Sequence, residues 1–351
     1  MIVRPAKTLV RHRRHGCTAV SVLAVLLVAA AIAPPGLGAE VNVYSYRQPF
    51  LLKPLFEAFQ RETEIKVNVV FARRGMIERL KQEGRNSPAD MIFTVDIGRL
   101  SDAVEAGVLQ GVRTPRLLAN VPPQYRHPDG LWYGLTVRAR IVYASKARVK
   151  PGEVTTYEEL ASAKWKGRIC TRSSQHVYNV ALLAAMIAHH GEQKAEQWAR
   201  GIKGNLARKP QGNDRAQVKA IEAGECDIAL VNSYYMGKML QDKEQSQWAK
   251  AVYLVFPNQN GRGAHVNISG AGIARHAPHR KQALALLEFL TGELAQRMYA
   301  EQNFEYPVNP RVAWSEVVAS WGRFKADPLS LEVIARNRAK AIRIYDRVGF
   351  P

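Results

Sequence analysis

The positions at which this sequence can do chemistry are mostly tyrosines and arginines. Tyr44, Tyr46 and Arg47 close one strand-like run, and Arg138 and Arg140 lie within another. Arg172 and Tyr178 follow a third, and Tyr234 and Tyr235 stand side by side after a fourth. A phenol titrates near pH 10, so it is a weak acid at neutral pH, but its phenolate is a hard anionic oxygen donor. Such donors suit a small trivalent cation better than Zn²⁺ or Cu⁺, which prefer nitrogen or sulfur. Fe³⁺ is acidic enough to displace the phenolic proton at neutral pH, as metals do with other ligands. Nearby guanidinium groups would offset several phenolates or hold an anion that completes the metal's shell. Two neighbouring phenols turn to the same side only from a turn, because strand geometry alternates faces. Spacing alone reads Tyr234 and Tyr235 first as one core ring and one surface ring, and Tyr44 as core packing.

Other chemistries find little support. The sequence has no Gly-x-Ser-x-Gly, no His-Glu-x-x-His and no Cys-x-x-Cys. His189 and His190 sit at a helix end with no carboxylate near them in sequence and read as surface histidines. The loop-like Arg262–Val266 stretch lacks the lysine of a phosphate loop. An exported enzyme would need a nucleophile–base constellation, which is missing.

The elements that must position these residues begin after residue 39. The first 39 residues carry Arg4, Lys7, Arg11, Arg13 and Arg14, then an apolar run from Thr18 to Ala33 and a small-residue end at Gly38-Ala39. That pattern reads as a secretory signal peptide, with an apolar run short for a membrane span. Removing its five basic residues from the chain's +20 leaves +15, spread along the sequence rather than gathered in a nucleic-acid arm; such a charge attracts anions or anionic surfaces. Export permits a disulfide between Cys170 and Cys226, which both sit beside expected strands of the same region. With 351 residues, two domains are expected. Strand-like runs at Val41–Tyr46, Lys66–Phe71, Asp90–Val95, Arg168–Thr171 and Ile228–Val231 alternate with helical periods, which predicts doubly wound parallel sheets. Leu131–Ser145 reads as a long crossing segment between domains. Tyr253–Phe256 and Ile268–Ile273 read as strands returning to the first domain, Thr156–Leu160 as the opening of a helix, and Ser173-Ser174 as a helix cap. In open sheets of this kind ligands bind beyond the carboxyl ends of the strands, where the Tyr234–Tyr235 pair falls.

Five stretches together resemble the ferric-iron-binding proteins of periplasmic ABC importers from Val41 to about Pro310. They are Val-Tyr-Ser-Tyr-Arg-Gln-Pro at 43–49, Tyr-Gly-Leu-Thr-Val-Arg-Ala-Arg at 133–140, Trp-Lys-Gly-Arg-Ile at 165–169, Arg-Ser-Ser-Gln-His-Val-Tyr-Asn at 172–179, and Val-Asn-Ser-Tyr-Tyr at 231–235. The resemblance implies an α/β fold of two lobes, of the type II-like solute-binding class, joined by crossing strands and closing over the ligand. It divides the chain into one lobe of residues 40–137 and 263–311 and another of 138–262 and 312–351. It implies Tyr178, Tyr234 and Tyr235 as phenolate ligands of Fe³⁺, and Arg47 and Arg138 as holders of a synergistic anion such as carbonate or bicarbonate, with Tyr46 adding a hydrogen bond. Many relatives place a His, or His-Tyr, where this chain has Gln48 and Pro49, which are not strong Fe³⁺ donors. That departure points to the three-tyrosine branch, in which the anion fills the open positions. The implied partners are an inner-membrane permease and its ATPase, with the receptor itself a monomer in the periplasm that binds no nucleic acid. The alternative within the same fold is another small solute: an organic cation, a phosphate ester or an iron chelate.

Overall fold

The computed structural model describes residues 38–351, so the stretch read as a signal peptide lies almost wholly outside the described residues. Strand β1 (Glu40–Ser45) leads into helix α1 (Pro49–Thr63), with proline in the first turn, where its missing N–H costs nothing. Leu52, Leu55, Phe56 and Phe59 form the buried stripe of α1. The chain continues through β2 (Lys66–Phe71), α2 (Met76–Glu83), β3 (Met91–Thr94), α3 (Ile97–Glu105), β4 (Leu109–Gln110) and α4 (Pro115–Asn120). β1 pairs in parallel with both β2 and β3. Strand alternation sends Val41 and Val43 to the face covered by α1, while Tyr44 and Tyr46 join Met76, Ile77 and Leu80 of α2 on the other. The first sheet is therefore wound on both sides.

β5 (Tyr133–Ser145) is buried along all thirteen residues and, at about 3.3 Å per residue, extends roughly 40 Å. Its Tyr133–Ala139 portion pairs antiparallel with β9 (Val266–Ala274), which also pairs antiparallel with β3. The later portion, Arg140–Ser145, pairs with a second group of strands. That group comprises β6 (Ile169–Cys170), β7 (Ile228–Asn232) and β8 (Val252–Val255). α5 (Val177–Gly204) and α6 (Asp214–Glu222) lie between β6 and β7, and α7 (Tyr235–Leu240) and α8 (Ser246–Lys250) between β7 and β8. The order β2-β1-β3-β9-β5-β7-β6 makes β5 and β9 the antiparallel centre of two parallel halves. α9 (Arg280–Thr291), α10 (Glu293–Gln302), β10 (Tyr306–Pro307), α11 (Glu316–Ala319) and α12 (Leu331–Val348) complete the chain. β10 lies against β5 at Thr136–Val137. The fold is thus a two-lobed α/β architecture with crossing strands.

Several expectations are corrected. β8 does not return to the first sheet; it pairs with Val142–Ser145 of β5, and β9 alone of the two expected strands crosses back. Thr156–Leu160 does not open an α-helix but leads into a 3₁₀ turn at Glu158–Ala161. The helix expected to end near Gly191 resumes beyond it, kinked where Gly191 adopts φ 79°. The cap of α5 is His176, whose ring nitrogen accepts the Tyr178 N–H, rather than Ser173 or Ser174. Ser174 instead donates its N–H to Pro351 O at 3.0 Å and its hydroxyl to Phe350 O at 2.8 Å, while the Ser173 hydroxyl accepts the Gln175 N–H at 3.3 Å. Cys170 and Cys226 are joined in a disulfide, their Cα atoms 5.9 Å apart.

Candidate metal centre

Strand β7 carries the tyrosine pair to its place. Asp214, at the start of α6, accepts the Asn232 N–H at 3.2 Å. Ser233 is fully buried and doubly bonded to the crossing strand, donating its N–H to Ala139 O and accepting the Ala139 N–H on its hydroxyl. The chain then turns directly into α7, with Tyr234 already helical at φ −64° and ψ −19°. Leaving strand geometry at this residue turns both rings to one side, their centroids 4.3 Å apart. Tyr178, one residue into α5, brings its hydroxyl to 3.4 Å from that of Tyr234. Three phenols from two helix starts are thereby gathered at the carboxyl ends of β6 and β7. Among the described residues no group of three His, Cys, Asp or Glu side chains is placed to hold a metal, so phenol oxygen is the donor chemistry that this site offers.

Cationic groups surround the phenols unequally. Arg138, Arg140 and Arg172 each stand 5.6–5.7 Å from the Tyr178 ring. Arg140 and Arg172 share the buried Asp214 carboxylate, Arg172 at 2.8 Å, and Arg140 also reaches Asn179 Oδ1 at 3.0 Å. Burial pushes the Asp214 carboxyl up, but the Arg140 and Arg172 guanidiniums outweigh it and hold the group below the usual carboxylate range. Arg138 is 2% exposed, yet among the described residues none of its three guanidinium nitrogens has a hydrogen-bond partner. A buried, unsatisfied guanidinium is costly, and an oxyanion at this position would satisfy it. Burial pushes Tyr234 well above the ordinary phenol pKa, with the neighbouring Tyr178 and Tyr235 adding to the rise and Arg138 opposing it. Tyr235 is raised for the same leading reason. Tyr234 and Tyr235 therefore remain protonated until a cation displaces their protons.

The other residues read from sequence have their hydrogen-bond partners away from the three phenols. Arg47 is buried and forms a forked ion pair with Glu305, Nη1 to Oε1 at 3.2 Å and Nη2 to Oε2. The Tyr46 hydroxyl accepts the Ile77 N–H at 3.0 Å, at the start of α2, and Arg99 lies over its ring. The Tyr44 hydroxyl is bonded to Glu83. His189 and His190 are not bare surface groups, since they bond Asp327 and Glu158 at 2.7 Å each. Sequence reading missed Asp214, His176, Asn179 and Glu305. The only local signal was Asn213 ahead of a helical period, which marked the start of α6 but not the destination of Asp214.

Comparison with known proteins identifies the family and the fold. The sequence pattern of the bacterial extracellular solute-binding proteins matches residues 86–321. Iron uptake protein A1 of Synechocystis is 46% identical over 319 residues, covering 90% of this chain and 89% of that protein. The apo ferric ion-binding protein A of Pasteurella haemolytica superposes with a TM-score of 0.86 at 49% identity, covering 89% of this chain and 98% of that one. A Trichodesmium protein in complex with iron and citrate superposes at 0.84 with 44% identity, over 89% of this chain and 100% of that one. With two-thirds of its length inside the family pattern and a relative 46% identical over 90% of it, this chain belongs to the bacterial extracellular solute-binding protein family.

Proposed function

We propose that the protein is the periplasmic receptor of an iron importer. It captures Fe³⁺ on the phenolates of Tyr178, Tyr234 and Tyr235 and delivers it to an ABC permease and its ATPase. The observation that carries this reading is the gathering of three phenols beside Arg138, a buried guanidinium with no acceptor among the described residues. Three phenolates balance the charge of Fe³⁺ but leave an octahedral ion short of donors. A small oxyanion held by the Arg138 fork supplies the remainder, and planar carbonate fits that fork. The names of the relatives support the iron assignment, and the citrate in the Trichodesmium complex supports an oxyanion beside the metal. In this reading Arg47 approaches the anion through its unpartnered Nε, and Tyr46 stands behind the first lobe's wall, its hydroxyl on α2.

The lobes of the reading are residues 40–137 with 263–311 and residues 138–262 with 312–351, after a signal peptide of residues 1–39. The three tyrosines belong to the second lobe, so metal loads there before the lobes close. Catalysis has no part in this function. The experiment is a metal analysis and visible spectrum of protein purified from the periplasm. Stoichiometric iron with a phenolate-to-iron charge-transfer colour is expected; a colourless, iron-free protein that stays so with added Fe³⁺ and bicarbonate would overturn the reading.

A further inference from the structure

We propose that Glu305 sets the charge selectivity of the anion site: it takes the fork of Arg47 and leaves Arg138 as the guanidinium that receives the anion. The inference deepens the functional reading above and rests on it. Two buried arginines within electrostatic reach of Tyr234 are treated in opposite ways. Arg47, 4% exposed, gives both terminal nitrogens to the Glu305 carboxylate, itself 2% exposed. Arg138 gives none of its nitrogens to any described residue. Arg140 and Arg172 share Asp214. Of the four, Arg138 is thus the one without a carboxylate among the described residues.

The carboxylate is held in place by its segment. Phe304 adopts φ 58°, a left-handed conformation that strains a bulky residue. Its ring seats on Gly237, two residues after Tyr235, where an added Cβ would lie 2.2 Å from the ring. Asn303 donates its side-chain amide to Leu51 O at 3.0 Å, and Tyr306 enters β10 opposite Val137, the neighbour of Arg138. Ties to α1, α7 and the crossing strand therefore fix Glu305 between the tyrosine helix and the anion arginine. Its consequence is electrostatic. The pair Arg47–Glu305 is close to neutral toward an incoming anion, so the anion meets the metal and a single unmatched guanidinium. Replacing Glu305 with glutamine keeps the shape and an oxygen for Arg47 but releases one positive charge. Coulomb attraction is proportional to the anion's charge, so the gain in affinity for a dianion should be the square of that for a monoanion.

The test uses the iron-loaded parent, Glu305→Gln, and the double variant Arg47→Gln/Glu305→Gln. Each is titrated with formate and with sulfate at fixed pH and ionic strength, following the charge-transfer band. For Glu305→Gln we expect about threefold tighter formate and about ninefold tighter sulfate. Loosening of the structure alone would weaken both anions alike. Equal gains, or losses for both anions, would overturn the proposal. Should Glu305→Gln fail to fold, the double variant decides alone, since it strands no buried charge. A common factor for both anions is then expected, whereas a larger loss for sulfate than for formate would mean that Arg47 acts as a free cation and would overturn it. The same titrations on apo protein, read by tyrosine fluorescence, keep the two levels separate. A parent that binds no iron contradicts the functional reading, while the anion ratio still judges Glu305.

Discussion

At Tyr234 the surroundings oppose ionisation, and this sets how iron and protons compete. Burial raises the phenol's pKa, Tyr178 and Tyr235 raise it further, and Arg138 only partly offsets them. A raised pKa means the site binds protons at neutral pH and must lose them to bind Fe³⁺. Iron affinity should therefore increase with pH, with a slope approaching three protons from the three phenols. Competition titrations between pH 6 and 8 check this, and a pH-independent affinity would argue against phenolate ligands. Tyr234→Phe and Tyr235→Phe each delete a hydroxyl and keep the ring, so packing survives while a ligand is lost. Each should weaken Fe³⁺ binding by more than ~100-fold, since even groups behind metal ligands cost 10–100-fold. Thermal unfolding of the apo protein should move little. Arg138→Ala should abolish the dependence of iron affinity on added bicarbonate, and an unchanged dependence would remove Arg138 from the anion's partners.

The starts of α5, α6 and α7 converge on one buried carboxylate. Asp214 ties α6 to Arg140 on β5, Arg172 before α5 and the Asn232 N–H before α7. Asp214→Asn leaves two guanidiniums buried without their counter-charge and should destabilise the apo protein by about 3–5 kcal/mol in urea melts. The folded-state carboxyl is depressed, so its contribution is fully present above the unfolded value near 3.9 and is lost as pH falls through the lower folded value. Acid denaturation of the parent should steepen below about pH 4, and Asp214→Asn should lack that component. Serine at Cys170 and Cys226 should cost about 2–4 kcal/mol by opening the 56-residue loop, without altering iron affinity. These elements were unequally legible in the sequence. The strand–helix alternation and the stretch carrying Tyr234 and Tyr235 were readable, because hydrophobic period and turn are local. The partners of Arg140 and Arg47 were not. Asp214 lies 74 residues from Arg140 and Glu305 lies 258 from Arg47, and no local pattern encodes such pairs. His189 and His190 looked bare for the same reason, as their carboxylates are 138 and 32 residues away. The helical period at Thr156–Leu160 was outweighed by Asn258, whose side chain accepts the Tyr157 N–H and ties the segment into a tight turn.

Across the whole molecule, α12 links the two halves of the fold. It lies along α5, where the Tyr345 hydroxyl bonds Asn179 O, one residue after Tyr178. It also reaches α3 of the first sheet, where Arg338 pairs with Asp102 at 2.7 Å and its side chain crosses Gly98 so closely that an added Cβ there would clash. The pair is partly exposed, so its contribution is small, about 0.2–1 kcal/mol. Arg338→Ala should shift the apo protein toward the open form by up to about fivefold, seen as a larger radius of gyration in solution scattering; an unchanged profile would show that α12 does not bias closure. Adding Fe³⁺ and bicarbonate should contract the parent, since both lobes then contact the ligand. The expectations about iron binding and closure depend on iron being held by phenolates. Resonance Raman spectroscopy of the protein titrated with Fe³⁺ in bicarbonate tests that most directly. The account predicts tyrosinate vibrations that saturate at one iron per chain and weaken in Tyr178→Phe, Tyr234→Phe and Tyr235→Phe. Stoichiometric iron binding without tyrosinate vibrations, or vibrations unaltered in all three variants, would contradict it.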